Sequence, residues 1–460
     1  MDKHDPLDAT TMKRPTQPLK PSKLSKPKPS TKCKLTLPHL IFCVATSTLL
    51  VRILISYLLY PNCNRWGLII DAGSSGSRIH IFTWKEYKSD LLLSLKEVSN
   101  FKISPGISSF TPTEASQSLE PLLQHAKATV PQHCWAHTNL QLLATAGMRL
   151  VHQVNPARST AIFDSLRNYL KTAPFLFDPP NARIVPGDEE AEFDWLSVNF
   201  ATDGFVTKQK LVGAIDLGGA STQISFQVHP SEQGSSVVDV AQLPGVRTLQ
   251  VGAHAHSIYA VSRLHMGLYE AYTNTQQMYA QQEQDAFPCE IPGDYDKCQT
   301  VVQHFLTQHA EQDMSQLGLT AMAPPIQTGS TFYGLDNFAK LASIHFIFQR
   351  NPMSRQLPPQ LFRSPNMKSY QNVAKQLCKM SWYELRSRIP IKVGKDKLLQ
   401  HSCFGLIYVQ LLLERVYRLK GGEVQLIFAH TIGQVDGSWA TGAAISLFHK
   451  DGSGRNTLKK

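Results

Sequence analysis

Short apolar runs that stop at an Asp recur along the chain. Gly67-Leu-Ile-Ile70 ends at Asp71, passes through a turn of small residues and resumes as Arg78-Ile-His-Ile-Phe82, which alternates with period two. That pattern predicts strand, tight loop, strand. Leu211–Ile215 leads in the same way into Asp216-Leu-Gly-Gly-Ala220, and Gln223-Ile-Ser-Phe226 alternates again. Leu140–Ala144 and Val424–Ala429 are further strand candidates, whereas Glu114–Ala128, Phe163–Leu170, Ala253–Gln284 and Cys403–Leu419 have helical spacing or length. Strands mixed with helices and small-residue turns indicate an α/β fold.

The two Asp-containing units echo each other, from Ile69 to Phe82 and from Ala214 to Phe226. A repeated hairpin implies two lobes with a ligand cleft between them. The boundaries read as a first lobe over 65–205, a second over 206–435, and a C-terminal segment, 436–460, that returns to the first. A chain of 460 residues is long enough for two such cores.

Ahead of the lobes the pattern changes. Residues 1–35 are rich in Lys, Pro, Ser and Thr and read as a disordered tail. Residues 36–60 contain an apolar run, Pro38 to Tyr60, interrupted by Arg52. It has the roughly 20 residues a membrane-spanning helix needs. Arg52 costs about 2.5–3.5 kcal/mol on insertion scales, which the Leu, Ile, Val and Phe content offsets. With the basic tail before it, the run predicts an uncleaved signal-anchor contacting the lipid bilayer. The tail would be cytosolic and the rest lumenal, a type II topology.

Charge adds one correction. The net +11 suggests nucleic acid or membrane, but the tail alone holds nine basic against three acidic residues, a surplus of six. The remainder is mildly basic, which removes the reason to expect a nucleic-acid partner. Of eight cysteines, Cys289 with Cys298 and Cys378 with Cys403 are the local pairs. Two disulfides in an oxidising compartment is the favoured reading, with separate thiols the alternative. No C-x-x-C occurs, so a zinc site is not expected.

The loops carry the chemistry. A phosphate cradle needs converging backbone N–H groups and no bulky side chains. Gly73, Ser74, Ser75 and Gly76 satisfy this on one loop, and Gly218, Gly219, Ala220 and Ser221 on the other. A carboxylate beside a phosphate is repulsive unless a cation intervenes, so Asp71 and Asp216 predict Mg2+ or Ca2+, held partly through water. Ala144-Thr-Ala-Gly-Met-Arg149 could add a hydroxyl from Thr145 and a charge from Arg149. Five acids crowd Gly187–Trp195. They suit a helix start, and one of them could be a general base for hydrolysis.

DAGSSGSR, ATAGMR, GDEEAEFDW, AIDLGGASTQ and GSWATGAA follow in this order from Asp71 to Ala444. Together they resemble the nucleoside triphosphate diphosphohydrolase family, the apyrases and Golgi nucleoside diphosphatases. The resemblance implies the actin, hexokinase and heat-shock ATPase architecture, two RNase H-like lobes around a cleft. It implies Glu190 as general base, Ser221 and Gln223 as holders of the attacking water, and Thr145 as the second-motif threonine. It implies Asp71 and Asp216 around the ion, and the two small-residue loops around phosphate. Tyr333 and Trp439 become candidates for the nucleoside. Ala191 and Thr441 depart from the family's usual Gly and Leu. A single N-terminal anchor is similar to the intracellular branch, which implies a Golgi setting and release of phosphate from GDP or UDP to give the monophosphate. The competing expectations are exopolyphosphatase-like cleavage and a non-catalytic, nucleotide-gated binding protein.

Overall fold

Trp66–Ala72 (β1) and Ser77–Thr83 (β2) pair antiparallel around the first small-residue loop. The structure, a computed structural model, describes residues 66–85, 94–207, 210–228, 243–282, 285–316, 324–350, 359–363, 366–389, 396–419 and 422–448, with 46, 48 and 51 as isolated positions. Met1–Pro61 separates from a second compact unit, Asn62–Lys460, which carries every element named below.

The hairpin continues antiparallel into Lys96–Ile103 (β3), and on its other side runs parallel to Asn139–Ala144 (β4), which pairs with Ala182–Ile184 (β5). The order is β3-β2-β1-β4-β5. The second sheet repeats it. Gly213–Leu217 (β6) and Ser221–Gln227 (β7) form the second hairpin, followed by Val246–Val251 (β8), His254–Leu264 (β9), Ser330–Asp336 (β10), Leu361–Arg363 (β11) and Val424–Ala429 (β12). Its order, β11-β12-β10-β6-β7-β9-β8, contains β9-β7-β6-β10-β12 in the same arrangement as the first. The strands of both hairpins are almost entirely buried, as sheets covered by helices require.

The Gly187–Ala201 helix packs against β6, β7 and β9 of the second sheet and against the C-terminal helix Ala440–Phe448, which also contacts β1. It is buried through most of its length, including Phe193 and Trp195, so no polar stripe remains. Trp439 stacks on Phe193 with ring centroids 6.0 Å apart, and Phe448 stacks on Trp84 at 5.2 Å. Disulfides join Cys289 to Cys298 and Cys378 to Cys403. Cys134 is buried and unbridged, while Cys33, Cys43 and Cys63 lie outside the described residues.

Several expectations are corrected. The stretch 253–284 is not one helix but β9 followed by the helix Leu268–Gln282. Pairing of β9 with both β7 and β8 overrides the local spacing. The stretch 114–128 divides into Pro112–Gln117 and Glu120–Thr129, the second opening with Pro121 at its first turn. The transmembrane anchor is not found. No helix among the described residues is long and apolar enough to cross a membrane, and of 36–60 only Thr46, Thr48 and Val51 are described. The membrane-spanning part of the expected fold, the bilayer contact, the type II topology and the Golgi placement lose their support with it. The tail over 1–35 lies outside the described residues.

Candidate active site

Each hairpin delivers its Asp near the end of its first strand, with the small-residue loop following. Asp71 pairs with Arg78 across β1 and β2, and Asp216 with Gln223 across β6 and β7. The two loops approach closely: a Cβ on Gly219 would lie 2.6 Å from Ser74 Oγ, so a side chain at 219 would require the Ser74 hydroxyl to move. Between them is a cavity of about 90 Å3 whose walls include both loops, Thr145, Glu190, Asp336 and Trp439. That is far below the roughly 300–1,000 Å3 of a small-molecule pocket. It suits a phosphoryl group with its water. A second opening of about 320 Å3 shares Ser74, Ser75, Gly219 and Ala220 with it and is lined further out by Tyr269, Glu270 and Lys397.

One wall is a hydrogen-bonded chain. Arg149 Nη1 donates to Glu190 Oε2 at 2.8 Å and to the Val185 carbonyl at 3.0 Å, while its Nη2 donates to Ser221 Oγ at 2.9 Å. Gln223 Nε2 donates to Ser221 Oγ at 2.8 Å and to Ser262 Oγ at 2.9 Å. Ser221 Oγ thus accepts twice, which leaves its O–H as a donor. Gln223 Oε1 is buried without a partner. A water beside Glu190, Gln223 Oε1 and the Ser221 hydroxyl would give protons to two acceptors and take one, keeping a lone pair for attack. Burial pushes the Glu190 carboxyl above the usual range, and Arg149 pulls it back.

The carboxylates are the second feature. Asp71 Oδ1 and Asp216 Oδ1 are buried without hydrogen-bond partners, as are both oxygens of Asp194, one helical turn beyond Glu190. Burial raises the carboxyls of Asp71, Asp194 and Asp216. Orphaned, acceptor-only oxygens facing a phosphate cradle have the donor chemistry of a hard divalent cation such as Mg2+ or Ca2+. Asp71 and Asp216 would hold it, and it would supply charge neutralisation at the phosphate oxygens. A separate cluster, His80, Glu97 and Asp436, has donor atoms within 4.8 Å of one another and the composition of a candidate cation site. There His80 Nδ1 bonds Glu97 Oε1 at 2.8 Å and the Arg78 guanidinium donates to Asp436, so a cation is already present.

Glu190, Thr145, Trp439 and the residues of both loops from Gly73 to Gly76 and Gly218 to Ser221 therefore meet at one cavity with Asp71 and Asp216. Gln223 reaches it through Ser221. Tyr333 does not come to it. It is buried on β10 among Leu335, Ile427 and Ala429, away from either opening, because its side chain projects from the sheet face that packs against Val198 of the Gly187–Ala201 helix. Four residues were missed by sequence reasoning: Arg78, Lys102 and Asp336, which line the cavity, and Ser262, which holds Gln223. Asp336 had a signal, since Phe332-Tyr-Gly-Leu-Asp336 is a third apolar run ending in Asp. It has φ of 47°, pairs with Lys340 and receives a bond from Asn337 Nδ2 at 3.1 Å. Burial would raise its carboxyl, but Lys340, Lys102 and Arg78 hold it below the usual range.

Comparison with known proteins agrees with this geometry. The GDA1/CD39 (nucleoside phosphatase) family matches residues 58–458, so the chain belongs to that family and is a nucleotide-hydrolysing enzyme at that level. Ectonucleoside triphosphate diphosphohydrolase 2 of Homo sapiens is 28% identical over 439 residues, covering 84% of this chain and 83% of that protein. The Golgi apyrase of Saccharomyces cerevisiae is 37% identical over 202 residues, 38% of this chain and 32% of its own length. Among solved structures, one titled as nucleoside triphosphate hydrolases from Neospora caninum superposes with a TM-score of 0.54 at 14% identity, covering 89% of this chain and 97% of that one. That likeness concerns the fold alone.

Proposed function

We propose that this chain hydrolyses the terminal phosphate of nucleoside diphosphates, GDP and UDP in preference to triphosphates, by direct attack of water. The observation that carries this is the chain from Arg149 through Glu190 and Ser221 to Gln223, which presents two acceptors and one donor to a single water beside the phosphate loops. Glu190 takes the proton as general base. Ser221 and Gln223 orient the water in line with the scissile bond, and loop amides stabilise charge on the phosphoryl oxygens. Asp71 and Asp216 would hold Mg2+ or Ca2+, which would supply charge neutralisation at the phosphate. The nucleoside extends into the adjoining opening beside Tyr269 and Lys397, whose ammonium lies 4.5 Å from the Tyr269 ring. A diphosphate places its base there with one phosphate fewer between base and cavity than a triphosphate does.

A second reading, exopolyphosphatase-like cleavage of a phosphate chain, is favoured by the Arg78 and Lys102 lining of the cavity, which asks only for an anion. One assay separates the two. The purified chain is given GDP, UDP, ADP, GTP, UTP, ATP and polyphosphate with each metal, and phosphate release is measured. Fastest release from GDP or UDP is expected; fastest release from polyphosphate would replace the first reading with the second. Glu190→Gln is expected to bind nucleotide and lose turnover by roughly 10³-fold. Retained turnover would remove Glu190 from the role of base.

A further inference from the structure

The strand register puts three ionisable side chains in one row. Asp71 on β1 pairs with Arg78 on β2, and Arg78 pairs with Lys102 on β3. Directly paired residues share a face, and all three line the cavity between the loops. Two cations directly opposite each other destabilise a sheet. Arg78 is relieved by its ion pair with Asp436. Lys102 is not: among the described residues its ammonium makes no hydrogen bond or ion pair. Asp336, the opposite charge that acts on it most strongly, is already bound to Lys340. A cation in the cavity wall, opposite a second cation and without a partner of its own, is placed where an arriving anion would complete it.

The reach of the side chain fits that anion. A Cβ on Gly76 would meet the Ile103 carbonyl at 2.4 Å and Lys102 Cε at 2.9 Å, so the lysine stem lies directly beside the first phosphate loop. The second hairpin has no such group: its matching row is Asp216, Gln223 and Ser262, without a cation. We infer that Lys102 is a further catalytic residue, whose ammonium binds an oxygen of the terminal phosphoryl group and stabilises the charge there as the bond to the leaving group breaks. The inference rests on the phosphohydrolase reading.

Lys102→Met keeps the stem and removes the charge. Its kcat/KM for GDP is expected to fall on the order of ten- to a hundredfold, with Lys102→Arg recovering part of the loss. Binding gives an independent readout. In a Glu190→Gln background, Lys102→Met is expected to weaken GDP at least about tenfold and leave GMP, which lacks the terminal group, unchanged. Lys102→Gln repeats both measurements should the Met variant melt at a lower temperature. Activity within about twofold of the parent, or equal weakening of GDP and GMP, would overturn the role. An inactive parent chain would instead remove the phosphohydrolase reading, so the two failures are distinct.

Discussion

The two Asp-containing hairpins share one frame and differ in the row beside it. In the first sheet the row across three strands is Asp71, Arg78, Lys102; in the second it is Asp216, Gln223, Ser262. Strand order and the position of the Asp are the same in both, and each loop is built of small residues. One row is charged and can neutralise an anion. The other is neutral and internally hydrogen-bonded, with Gln223 Nε2 fixed between two hydroxyls. A charge attracts a phosphate but orients a water poorly; a fixed amide does the reverse. On the proposed reading, the duplicated frame has divided the reaction, with the substrate's charge held by the first sheet and the water's orientation by the second.

The largest expected effect tests that division. Gln223→Ala is predicted to lower kcat about 10²-fold with KM changed little, because the water loses an acceptor that matters only in the reaction itself. Arg78→Met is predicted to raise KM more than it lowers kcat, because it removes charge felt by bound substrate and transition state alike. Steady-state kinetics on GDP reads both. If Gln223→Ala altered KM alone, or Arg78→Met altered kcat alone, the two rows would not be specialised in this way.

How much of this was legible depended on whether a residue's role is local. The loops were legible because a phosphate cradle requires contiguous small residues, and Gly73–Gly76 and Gly218–Ser221 are contiguous. Both hairpins were legible from period-two alternation. Lys102 and Ser262 were not, because each acquires its place from the register of a third strand against the second. Tyr333 misled for a related reason. An aromatic at the middle of an apolar run is equally compatible with a cleft wall and with a core, and only the packing of its sheet face against Val198, Ile427 and Ala429 decides for the core. Arg149 was visible as a charge, but its bridge from Glu190 to Ser221 spans residues 41 and 72 positions away in sequence.

That bridge gives a prediction of intermediate size. Burial raises the Glu190 carboxyl, and Arg149 lowers it by its charge and hydrogen bond. A general base works only when ionised, so kcat/KM should fall as pH drops through the Glu190 pKa, at a pH above the ordinary carboxylate range. Arg149→Met removes the lowering influence, so the acid limb should move to higher pH. The matching change on the charged row, Arg78→Met, should leave the limb in place. A limb unmoved in Arg149→Met would mean that Glu190 is not the group being titrated.

The smallest effect concerns the hydroxyl opposite the residue that follows the Asp in each hairpin. Thr222 Oγ1 donates to the Asp216 carbonyl and accepts from the Tyr417 hydroxyl at 2.7 Å, with the Gln223 carbonyl, 3.2 Å from that hydroxyl, a second acceptor for the same proton. Ser77 holds the equivalent place, opposite Ala72 as Thr222 is opposite Leu217, and its hydroxyl is fully buried with no partner. A buried bonded hydroxyl stabilises by about 1 kcal/mol, and its loss strands the partner; a buried orphan contributes nothing and costs its desolvation. Thr222→Val should therefore destabilise the chain by about 1–2 kcal/mol, whereas Ser77→Ala should be neutral within about 0.5 kcal/mol or slightly stabilising. Denaturant melts of the two variants measure the difference. Equal destabilisation would mean that Ser77 has found a partner in solution, and that the neutral row is no more tightly braced than the charged one.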